Sequence, residues 1–234
     1  MKPLCFLAIL LAPGLALADV TSPADAGRVA SFDILSAKVT RTDATLTFRM
    51  ATAGTAGVDT PAPIGALAGA PVHAYVWPTS LDPATVGFEP ATGILALAAT
   101  SHPDFDDTPL YDENGDGDPA NDGLDWHSHW VVLVPSEDCG PGALAVRDIP
   151  EGATPRLPKT WPGLPLFIDS PDVTPVFDGP VVSVAIEVQG AEGASFDGVT
   201  SALRVNANLH APLLCVTDVF DIASGDLSLP GRID

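Results

Sequence analysis

Proline or glycine breaks this chain every few residues, 24 prolines and 21 glycines in 234 positions, which leaves little uninterrupted length for helices. Between the breaks lie short alternating or β-branched runs with a period of two, the pattern of half-buried strands. The clearest pair is 32–41 and 44–51, joined at Thr42 and Asp43: Leu46, Phe48 and Met50 share one face, Thr45, Thr47 and Arg49 the other. Further strands are expected at 72–77, 94–99, 127–134, 143–147, 166–169, 181–188, 202–208 and 213–217. This pattern predicts an all-β fold, a single antiparallel β-sandwich of immunoglobulin-like or jelly-roll topology with long Pro/Gly-rich and acidic loops. Residues 59–71 and 151–165 are expected as surface loops, the second held by Trp161.

The first eighteen residues read as a signal peptide. Lys2 precedes an apolar run at 4–11, and Ala16-Leu17-Ala18 is a small-x-small cleavage signal, so the mature domain is expected to span 19–234. No other apolar run is long enough to span a bilayer. Export, to a periplasm or the medium, gives the cysteines their meaning: once Cys5 leaves with the signal, Cys139 and Cys215 form an even pair and are expected to be disulfide-bonded. A formal charge of −20 argues against nucleic acid or an anionic membrane as partner and makes divalent cations natural counterparts.

Nine of the thirty acidic side chains fall within 104–125, an expected metal-binding loop. Asp112, Asn114, Asp116 and Asp118 place oxygen ligands at every second position, with Gly117 free to turn the backbone, as a hard cation such as calcium requires. With Asp112 as position 1, this half of the loop resembles the calcium loops of EF-hands and dockerin-like repeats. Position 12 is Gly123 where those loops carry a bidentate glutamate, so Asp122 or Asp125 is expected to complete the shell. A solvated acidic loop without an ion is the competing account.

The loop runs into Trp126-His127-Ser128-His129-Trp130. On a strand, period two puts His127 and His129 on one face, and two imidazoles so placed can chelate zinc or copper if a third ligand arrives from elsewhere. His73, His102, His210, Asp125 or a carboxylate of the loop are the candidates, and His73 is favoured because it lies on another expected strand, on the same face as Tyr75 and Trp77. Cupins also carry His-x-His on a strand, but the glutamate and second histidine motif of that family are missing here. The alternative is that both histidines bond loop carboxylates at a sandwich edge. In either case neighbouring aspartates are expected to raise the histidine pKa values.

Trp126, Trp130 and Trp161 lie beside turns, where exposed indoles would serve as platforms for a glycan or cell-surface ligand; filling the core is the other use for them. HExxH, GxSxG, P-loop, GxGxxG and CxxCH motifs are absent. The sequence therefore points to an exported, non-enzymatic metal-binding β-sandwich. A glycan-binding module with structural calcium is the alternative, and a metal-dependent enzyme follows behind it.

Overall fold

The computed structural model describes residues 19–62, 64, 66–102 and 126–233. In chain order its strands are β1 (Val20–Thr21), β2 (Ile34–Thr42), β3 (Thr45–Thr52), β4 (Pro71–Pro78), β5 (Ile94–Ser101), β6 (His127–Pro135), β7 (Leu144–Val146), β8 (Ile168–Asp169), β9 (Val176–Asp178), β10 (Val181–Glu187), β11 (Ser195–Phe196), β12 (Val199–Val205), β13 (Leu214–Ile222) and β14 (Gly231–Arg232). Each expected strand is present. The additional β1, β9, β11 and β14 have two or three residues, too few to show an alternation. Helix among the described residues is limited to two single 3-10 turns, and none is long and apolar enough to cross a membrane.

Two layers build the fold. One is an open antiparallel sheet in the order β1-β2-β3-β10-β9. The other runs β5-β4-β12-β13-β7-β6, and a further pairing of β5 with β6 closes it into a six-stranded barrel, with β8 added alongside β6. The expected two-sheet sandwich is therefore corrected: an open sheet packs against the wall of a barrel.

The reason lies in strands that are apolar on both faces. β4, β5 and β6 are buried along nearly their whole length. Leu95, Leu97, Trp130 and Val132 face the open sheet, whereas Ala96, Ala98, Val131 and Leu133 belong to a second core. In a sandwich that second face would meet water, and rolling the sheet removes it from solvent. Between the layers Phe48 of β3 meets Trp77 and Trp130 edge-on, with ring centroids 5.9 and 5.8 Å apart. Such contacts add about 1 kcal/mol each beyond area burial.

The barrel seam is short. β13 meets β7 at only two register pairs, Leu214 with Val146 and Cys215 with Ala145. There the expected disulfide is formed: Cys139 and Cys215 are bonded across a Cα separation of 5.5 Å, tying β13 to the turn between β6 and β7.

Candidate metal centre

Three imidazoles converge inside the barrel wall. β5 and β6 pair antiparallel with Ala98 opposite His129 and Thr100 opposite His127, so these four side chains share one face. His102, one residue beyond the end of β5, continues the alternation of Ala98 and Thr100 and joins them. The ligand-capable nitrogens of His102, His127 and His129 all lie within 4.8 Å of one another, and the residues are only 3 %, 5 % and 3 % exposed. This buried cluster could hold a metal ion.

The tautomer of His129 follows from its partners. Its Nδ1 lies 3.1 Å from the backbone carbonyl of Asp169, and a carbonyl only accepts, so Nδ1 carries the proton. Ser170 Oγ lies 3.1 Å from the same nitrogen. The Nε2 lone pair is then left facing inward, buried and without a hydrogen-bond partner among the described residues. Metal-ligating histidines are held in this manner, one nitrogen fixed by a backbone carbonyl and the other presented to the ion. Asp169 sits where it does because β8 pairs with β6 at Trp130, and its carboxyl, pushed up by burial, accepts from Thr160 Oγ1 at 2.6 Å.

His102 Nε2 and His127 Nε2 stand 2.7 Å apart, so one of them donates to the other. Tetrahedral zinc would need about 3.4 Å between two ligand nitrogens, a difference that a small ring rotation supplies. The expectation that acidic neighbours raise the histidine pKa values fails at His129. Burial, reinforced by repulsion from His102 and only partly opposed by the Asp169 carbonyl, pushes it down to about 3. Desolvation is the largest cause here, and the ring is neutral across the physiological range, as a ligand must be.

The other expected residues lie elsewhere. His73 points to the opposite face of β4, bonded through Nδ1 to the Asp59 carbonyl at 2.9 Å and edge-on to Phe32. His210 is exposed beside Asn206. Asp112, Asn114, Asp116, Asp118, Asp122 and Asp125, the expected calcium ligands, fall outside the described residues. Trp130 is buried against Phe48. Trp126 is half-buried on Tyr75 and Phe177, with its indole N–H donated to the Gly57 carbonyl at 2.9 Å. Trp161 is also half-buried and donates to the Leu166 carbonyl at 3.2 Å.

His102 was one of several candidates in the sequence, and the signal that singles it out is parity: it extends the series Ala96, Ala98, Thr100 on a strand that pairs with β6. No protein-family model matches this chain, and no curated protein or solved structure is similar to it, which leaves the geometry of the three imidazoles as the ground for a functional reading.

Proposed function

We propose that this chain is an exported, non-enzymatic metal-binding protein whose centre is His102, His127 and His129, taking one zinc or copper ion. The observation that carries this reading is the orientation of His129, with Nδ1 tied to the Asp169 carbonyl and the buried Nε2 left for an ion. Three imidazole nitrogens suit a borderline-soft cation far better than calcium or magnesium, which take oxygen ligands. The Cys139–Cys215 disulfide fits an oxidising compartment, in line with export. Calcium bound at 104–125 is a separate proposal that rests on the spacing of the acidic residues alone.

The test is metal content by mass spectrometry on the mature chain, purified without a histidine tag and re-loaded from a mixture of calcium, zinc and copper. The expected outcome is about one equivalent of zinc or copper, falling at least tenfold in His129→Ala and in His127→Ala. A folded wild type that holds no transition metal, or that keeps it in both variants, would overturn the reading.

A further inference from the structure

The second core of the barrel is not completely filled. A cavity of about 110 Å³ runs through the lumen, lined by aliphatic side chains such as Val72, Val131, Leu203 and Val216. Val219 and Leu227, 51 % and 36 % exposed, are the lining residues that reach solvent furthest. The chamber departs from an apolar surface where Thr100, His102, His129 and Ser201 join its lining. Thr100 is 6 % exposed, and its Oγ1 has no hydrogen-bond partner among the described residues. A buried hydroxyl left unpaired keeps its desolvation cost without a compensating bond. At the wall of an otherwise apolar chamber it is the group a ligand would satisfy.

From this combination we infer that the barrel lumen is a binding site for a small amphipathic molecule, with a short hydrocarbon body lying among the valines and leucines and one oxygen-bearing head group bonded to Thr100 Oγ1. The size follows from the volume. An apolar cavity of about 150 Å³ stays dry and takes a benzene, so this one suits a body of about five carbon atoms. Among the described residues no Lys, Arg, Asp or Glu lines the chamber, so the head group this lining accommodates is one that is uncharged or shared with a metal. Thr100 stands directly opposite His127, so a head group held by its hydroxyl lies beside the three imidazoles. The site does not require the ion: its wall and Thr100 are in place whether or not the histidines are loaded.

The experiment is a methyl-resolved NMR titration of the chelator-treated mature chain with 1-pentanol, benzene and pentylammonium, repeated with zinc present. The expected result is saturable shifts confined to lumen methyls such as those of Val131 and Leu203 with pentanol and benzene, and none with pentylammonium. Thr100→Val keeps the shape and removes the hydroxyl, so it should weaken pentanol about fivefold and leave benzene unchanged. Val216→Phe fills the chamber from a strand that is only partly buried and should abolish both. Absence of lumen shifts with either neutral probe would overturn the site, and equal pentanol affinity in wild type and Thr100→Val would overturn the head-group assignment. Because the first titration runs without metal, a chain that binds pentanol but no zinc or copper would sink the metal reading and leave this one standing.

Discussion

Acid should destabilise the metal-free protein through His129, and the size of the effect can be worked out from its environment. Unfolded, the imidazole takes up a proton near its ordinary value of 6.5; folded, it resists until about 3. Above the first value neither state is charged and His129 contributes no pH dependence. Between the two the unfolded chain binds the extra proton, so stability falls with falling pH by about 1.4 kcal/mol per unit, and below the second the loss is complete. Lowering the pH from about 7 to about 5 should therefore cost roughly 2 kcal/mol from this residue alone. With a urea slope of about 2 kcal/mol per molar, the unfolding midpoint should drop by about 1 M. Other groups titrate over the same interval, so the measurement is the difference between wild type and His129→Asn, whose amide nitrogen stands where Nδ1 does and can donate to the Asp169 carbonyl but which cannot titrate. The midpoint of the variant should fall less by about that amount. Equal falls in the two chains would show that the imidazole protonates as easily folded as unfolded, and the account of its burial would be wrong.

Two further outcomes test the fold that holds the site. Replacing Cys139 and Cys215 by serine removes a crosslink spanning 76 positions; loop entropy sets an upper cost of about 4.5 kcal/mol, to be read from urea unfolding, and a loss below about 1 kcal/mol would mean that the seam closes without help. Phe48→Ala deletes the fully buried ring between Trp77 and Trp130 and should cost about 3 to 5 kcal/mol with a change in near-ultraviolet circular dichroism; a loss below about 1.5 kcal/mol would argue against tight contact between sheet and barrel.

Strand positions were legible in the sequence because most long strands have a Pro or Gly near at least one end, β2 excepted, and carry either a clean alternation, as in Leu46, Phe48 and Met50, or a β-branched run, as in β10. Closure of the barrel was not. It depends on β5 pairing with both β4 and β6, and pairing partners leave no mark in a local pattern; the nearest sign was the small residues Ala74, Ala96 and Ala98 alternating with large ones on strands buried on both faces. Two of the three histidines were readable from His-x-His alone. The third needed the register of β5 against β6, and preference for His73 failed because its alternation with Tyr75 and Trp77 directs it toward the open sheet. Thr100 gave no signal, since an unpaired hydroxyl is defined by what surrounds it.

The arrangement of strand edges bears on how such a β-rich chain stays out of aggregates. Pairing of β5 with β6 leaves neither of those strands a free edge, while among the described residues β8 and the stretch of β13 beyond Cys215 have a strand on one side only; the other exposed ladders belong chiefly to the open sheet. Its margins are β1 and β9, two and three residues long, too short to template a neighbour. β1 covers β2 only at Ser36 and Ala37, and the stretch of β2 beyond carries Lys38 and Arg41, charges that would face their own copies in any edge-to-edge stack. Lys38 is neutralised by Asp19, and Arg41 by Glu192. Edge-to-edge stacking there would crowd like charges, so the open sheet is guarded by charge and by its short outer strands, and the barrel by the pairing of β5 with β6.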